Sequence, residues 1–90
     1  MSVLLITFDL KTEGKDYKPF FEVIKTKCNY WWHYMESAWI VETEKSPDEF
    51  AKLLYPHMTT KDRLFVVKIT KEQQGWVPQS AWDWLNSRTY

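Results

Sequence analysis

The chemistry in this chain is concentrated in eleven residues, Asn29-Tyr30-Trp31-Trp32-His33-Tyr34-Met35-Glu36-Ser37-Ala38-Trp39. They hold five aromatic rings, a histidine, a carboxylate and a hydroxyl. Tyr and Trp rings stack on nucleobases for roughly 1–3 kcal/mol each, whatever the base. The imidazole of His33 could act as a general base if it faced a reacting group, although a histidine among strand aromatics is more often packed and hydrogen-bonded. Aromatic residues favour strands. Period two then puts Tyr30, Trp32, Tyr34 and Glu36 on one face and Trp31, His33 and Met35 on the other. Neither face can be left to water. One is expected to meet the chain's own helices, and the other a partner subunit or a ligand with a flat ring. The alternative is that the rings only fill a small core.

What else could react is sparse. Cys28, the single cysteine, excludes an internal disulfide and any cysteine-based zinc site, and its place on an apolar stripe predicts an inert thiol. No nucleophile and base stand at a meaningful spacing. Twelve basic residues balance twelve acidic ones, so no global field draws in a long polyanion. Scattered Lys11, Lys15, Lys18 and Arg63 could still neutralise a few phosphates. Clustered rings in a neutral protein suit a short or cyclic nucleotide better than a duplex.

The elements that must position these groups follow from patterning. Ninety residues make one domain, 1–90, with a core over 2–70 and a tryptophan-rich tail over 75–90. Six tryptophans, each able to bury roughly 200 Å², compensate for the small size. Val3 to Asp9 reads as a strand buried on both faces. Tyr17, Phe20, Phe21, Ile24 and Cys28 recur at helical spacing, with Asp16 as N-cap and Pro19 in the first turn. The aromatic strand follows, then a turn or bulge at Glu36-Ser37-Ala38 and a second strand, Trp39 to Thr43.

Ser46-Pro47-Asp48-Glu49 is a capping box opening a helix with Phe50, Leu53, Leu54 and Met58 on its stripe. Pro56 ends or loosens that helix near Tyr55, leaving His57 at its exit. Lys61-Asp62 turns the chain into a last strand, Arg63 to Thr70. Phe65, Val67 and Ile69 are expected to share a face with Leu4, Ile6 and Phe8. Val3, Leu5, Leu64 and Val66 would then lie on an uncovered sheet face, which predicts a homodimer or a higher even oligomer. In the tail, Ser80-Ala81-Trp82-Asp83 reads as the start of a short helix pinned over the sheet. The longest apolar run, Val3 to Ile6, is too short to cross a membrane, so a cytoplasmic protein with no membrane partner is expected.

The order strand, helix, strand, strand, helix, strand is that of an α+β, ferredoxin-like βαββαβ sandwich. Ile6-Thr7-Phe8-Asp9-Leu10, a strand ending in aromatic-Asp, and the Ser37-Ala38-Trp39 opening of the hairpin's second strand resemble a particular superfamily. It contains the CRISPR-associated protein that partners the spacer integrase and virulence-associated protein D. The Trp31-Trp32-His33-Tyr34 block resembles bacterial and phage relatives of these proteins with no assigned activity. The resemblance covers roughly residues 2–70 and implies a symmetric dimer with the strand-end aspartate near its two-fold axis. It also implies Asp9 as the ligand of a catalytic Mg²⁺ in any nuclease, with Ser37 at the matching hairpin position. Leu-Lys-Thr-Glu-Gly-Lys follows Asp9 where the spacer-acquisition branch is arginine-rich, which argues against duplex DNA.

The expected function is a small dimeric binder of a nucleotide or short nucleic acid, acting without catalysis. Trp31, Trp32, His33, Tyr34, Ser37, Trp39, Lys11 and Arg63 are its expected ligand residues. A phage or bacterial defence setting, with a signalling nucleotide held as by a sponge, fits the company of these relatives. The alternatives are a Mg²⁺-dependent nuclease using Asp9 twice at the dimer axis and a plain protein-interaction dimer.

Overall fold

A computed structural model describes all of residues 1–90. The chain runs β1 (Ser2–Asp9), α1 (Lys18–Thr26), β2 (Tyr30–Met35), β3 (Ala38–Thr43), α2 (Pro47–Leu54), a 3₁₀ turn (Tyr55–His57), β4 (Arg63–Lys68) and α3 (Gln79–Asn86). This is an α+β domain with three helices and one four-stranded antiparallel sheet, ordered β2-β3-β1-β4. That order is compatible with a ferredoxin-like sandwich. No helix is long and apolar enough to cross a membrane.

Local chemistry explains the helices. Ser46 Oγ accepts from the Glu49 amide at 3.1 Å, while Glu49 Oε1 accepts from the Ser46 amide at 3.0 Å, so the capping box is reciprocal. The helix tightens into the 3₁₀ turn where Pro56 removes a donor, placing His57 at the exit as its sequence predicts. α1 begins one residue later than expected. Tyr17 occupies the N-cap position, but Asp16 Oδ1 still accepts from the Lys18 amide at 3.0 Å. Phe20 and Ile24 from α1, with Phe50 and Leu54 from α2, pack on Leu4, Ile6, Trp39 and Val41.

The parity of β4 reverses the expectation. Ile6 lies opposite Val66 and Phe8 opposite Leu64, and residues opposite one another in an antiparallel pair share a face. Leu64 and Val66 therefore pack under α1 and α2 with Leu4, Ile6 and Phe8. Phe65 and Val67 go to the other side, opposite Thr7 and Leu5. At the entry to β4 the Asp62 carboxylate binds the loop after β1, at the Lys11 amide and the Thr12 hydroxyl. A one-residue step there turns every side chain of the strand over.

The second sheet face is not bare, as the pattern had implied. Val3 is fully buried, and α3 lies over the β2–β3 half, packing Ala81 and Leu85 on Trp32, with Ile40, Val77, Trp82 and Trp84 around them. The tail is thus a short helix pinned on the sheet, as expected. Pro78 rather than Ser80 precedes its first turn, and no side chain caps it. What stays open on this face lies toward β4, where Phe65 is 65% exposed.

A clasp holds the tail down. Glu42, buried on β3, accepts from the Thr89 amide at 3.0 Å and has Arg88 Nε 4.0 Å from its Oε1. The Arg88 guanidinium sits 4.5 Å from the ring centroids of both Tyr30 and Trp84. Two rings around one guanidinium give cation–π attraction in a partly desolvated place, where it is strongest.

Candidate functional site

Between α1 and the β2–β3 hairpin lies a groove of about 450 Å³, lined by Lys18, Phe21, Glu22, Lys25, Trp31, His33 and Trp39. Trp31 stands 44% exposed at its edge, whereas Trp39, at its floor, belongs to the core cluster and is 2% exposed. Trp31 and Trp39 lie with centroids 5.1 Å apart, and Phe21 stacks on Trp39 at 5.9 Å. The His33 ring stacks on Trp39 at 4.0 Å, nearly parallel at 14°. Its Nε2 donates to the Glu36 carbonyl at 3.2 Å. Trp39 is buried and its Nε1 has no partner.

The groove has a charged wall on α1. Lys18, Glu22 and Lys25 follow one another at helical spacing along the same side. The Lys25 ammonium stands 5.5 Å from the Trp31 ring centroid and 6.0 Å from that of Trp39. Cation–π contact thus holds a positive charge beside flat aromatic surface. The arrangement can stack a planar ring on Trp31 and neutralise an anionic substituent with Lys25.

Of the residues expected to act together, the structure gathers Trp31, His33 and Trp39. A bulge between Trp32 and Met35 changes the hairpin register, so Met35 comes opposite Ala38 and joins Trp32's side rather than Trp31's. Trp32 is 3% exposed beneath α3, and the Tyr34 hydroxyl donates to Ser80 Oγ at 3.0 Å. These two rings serve the opposite face. Ser37 works as a turn residue, its carbonyl accepting from the Phe8 amide at 3.1 Å and from Thr7 Oγ1 at 3.2 Å.

Asp9, Lys11 and Arg63 stand apart from the groove. Asp9 forms an exposed ion pair with Lys11 at 3.1 Å and borders a shallow hollow with Arg63, Thr7, Phe8, Leu64 and Phe65. No group of three histidine, cysteine, aspartate or glutamate side chains converges anywhere in the chain. A Mg²⁺ at Asp9 would be held by one carboxylate per chain, which such a hydrated ion tolerates and a second copy would double. His33 borders the groove and not this hollow, so it does not serve Asp9 as a base within one chain.

Sequence reasoning missed two sets of residues. Lys25, Glu22 and Phe21 were legible only as helix residues; their signal was a Lys-Glu-Lys series at i, i+4 and i+7 flanking the apolar stripe. The other is the buried carboxylate of Asp62. It accepts from the amides of Lys11 at 2.9 Å and Thr59 at 3.0 Å, and from the hydroxyls of Tyr17 at 2.7 Å and Thr12 at 3.3 Å. Desolvation opposes its charge, but these hydrogen bonds outweigh it and hold the carboxyl at about 2. Its acceptor capacity is taken up inside the fold, so Asp62 is structural. Burial pushes the Cys28 thiol up to about 11, against the pull of its own backbone contact, and leaves it unreactive near neutrality.

Comparison with protein-family models, with curated proteins and with solved structures returns no match to this chain.

Proposed function

We propose that the chain is a non-catalytic binder of a small nucleotide, whose base stacks in the α1–hairpin groove and whose phosphate meets Lys18 and Lys25. The observation that carries this reading is the pairing of Trp31 and Trp39, at 5.1 Å, with the Lys25 ammonium over both rings. Stacking is indifferent to base identity, and a point charge on a flexible stem suits a phosphate. Glu22 on the same wall disfavours a long polyanion, which would bring more negative charge alongside it.

The strand order and the two helices on one face support reading the domain as a ferredoxin-like sandwich akin to the superfamily named above. A second copy would cover the apolar surface around Phe65 on the β4 side. The nuclease reading rests on Asp9 alone, and in this chain that carboxylate is engaged in an exposed ion pair with Lys11.

Titration with AMP, a cyclic mononucleotide, a cyclic dinucleotide and a ten-base oligonucleotide, followed by tryptophan fluorescence, tests the reading. At least one small nucleotide should quench with a micromolar midpoint and bind more tightly per molecule than the oligonucleotide. Absence of quenching by every nucleotide up to millimolar concentration overturns it, as does preference for the oligonucleotide.

A further inference from the structure

A phosphate ligand alone does not account for the carboxylate that lines the groove. Glu22 stands on the α1 wall between Lys18 and Lys25, exposed and one helical turn from each. That spacing allows an ion pair with either lysine. Neither forms, because the ion pairs of the chain are Asp9–Lys11, Asp48–Lys52 and Glu42–Arg88. The hydrogen bond made to Glu22 from a side chain, by Thr26 Oγ1 at 2.7 Å, goes to its backbone carbonyl. Its carboxylate is therefore free to meet a ligand, beside an ammonium that lies 5.5 Å from the Trp31 ring centroid.

A base stacked on Trp31 with an edge toward α1 meets Glu22 and Lys25 together. A carboxylate accepts hydrogen bonds and donates none, so it selects for N–H groups on that edge. Adenine and cytosine each set an amino group beside a ring nitrogen that is an acceptor, and that lone pair repels the second carboxylate oxygen. Uracil has a single N–H between two carbonyls. Guanine sets two donors side by side, the ring N1–H and the 2-amino group, and these match the two oxygens of one carboxylate. Such bonds to an ionised acceptor are short and strong.

We propose that Glu22 makes the groove selective for a guanine nucleotide, its two oxygens accepting from N1–H and the 2-amino group while the base stacks on Trp31. The assignment rests on the nucleotide reading above and adds the base identity that stacking alone does not supply.

Calorimetric titration of the full chain with GMP, AMP and IMP, which is GMP without its 2-amino group, tests it. The wild type should prefer GMP to AMP by about ten- to a hundredfold, as a bidentate base contact does, with IMP between them. Glu22→Gln changes an exposed helix position and keeps its size. It sets an amide N–H₂ against one of the guanine donors, so the preference should fall below about threefold, with AMP bound as before or more tightly. Equal affinity of the wild type for AMP and GMP overturns the assignment and leaves the groove a nucleotide site without base preference. A GMP preference that survives in Glu22→Gln overturns it as well. Failure of all three nucleotides to bind the wild type up to millimolar concentration overturns the nucleotide reading itself, and the assignment with it.

Discussion

Trp31 and Trp32 are neighbours in sequence and belong to different regions of the molecule. Trp31 stands 44% exposed in a groove beside α1, on the sheet face that carries the Phe20–Ile24–Phe50–Leu54 core. Trp32 is sealed beneath α3 on the opposite face. The first face is covered by two helices with apolar stripes and a reciprocal cap, and its core is mostly aliphatic and phenylalanine side chains with Trp39 among them. The second is covered by a short uncapped helix, held by an indole, a buried ion pair and a guanidinium between two rings. The difference separates two uses of aromatic residues. Where helices supply the core, an indole is free to line a groove; where the cover is a single helix, the indole becomes the core.

The sharpest test of that contrast is to truncate each ring. Trp32→Ala should cost about 3–5 kcal/mol in urea unfolding, because it removes the centre of a small cluster that cannot refill. Trp31→Ala should cost about 1–2 kcal/mol, since nearly half of its surface is already in water. Equal losses would erase the distinction between the faces.

The next effect falls on the clasp. Arg88→Ala leaves Glu42 buried without its cation, and with the pair as long as 4.0 Å the loss should sit at about 3 kcal/mol, the bottom of the range for broken buried pairs. Amides of α3 should exchange with solvent much faster while those of α1 and α2 barely change. Arg88→Lys should not restore protection, because an ammonium lacks the flat surface that lies between Tyr30 and Trp84. Uniform loss of protection through all three helices would show that the two faces do not unfold separately.

A third effect is on binding. Trp31→Ala should weaken nucleotide affinity by about 1–3 kcal/mol, roughly five- to 150-fold, while Trp32→Phe should leave it unchanged. Calorimetric titration of both variants reads this directly. A matching loss in Trp32→Phe would mean that the faces communicate.

In acid, the carboxylate under the first face becomes visible. Asp62 has a folded-state value lowered to about 2 from an ordinary 3.8, so its contribution to stability is complete above the ordinary value and is lost as pH falls through about 2. Between pH 4 and pH 2 the wild type should lose stability more steeply than Asp62→Asn, which is already weakened at neutral pH and cannot lose that charge. Parallel acid curves would contradict the hydrogen-bond count. The smallest change is expected from Asp9→Asn. It should leave the fold intact and nucleotide affinity unchanged, or tightened by up to about 1 kcal/mol through lower repulsion. Mg²⁺- or Mn²⁺-dependent cleavage of RNA or DNA by the wild type that Asp9→Asn abolishes would replace the binder reading with the nuclease one.

By itself the sequence determined the features whose causes lie within a few residues. The Ser46–Glu49 box, the loosening at Pro56, the stripe from Phe20 to Ile24 and the terminal helix were all legible, because caps and stripes are made by partners three or four positions apart. So was the order of elements, and with it Trp31 and Trp39 as strand rings. The tertiary structure alone decided the parity of β4, the side to which Met35 turns, the burial of Asp62 and the meeting of Arg88 with Glu42. Each joins residues distant in sequence, such as Lys11 to Asp62 and Thr89 to Glu42, across 51 and 47 positions. Alternation tells which side chains of a strand go together but not which way they face. Only the register against a neighbouring strand settles that, and a single residue's slip reverses it.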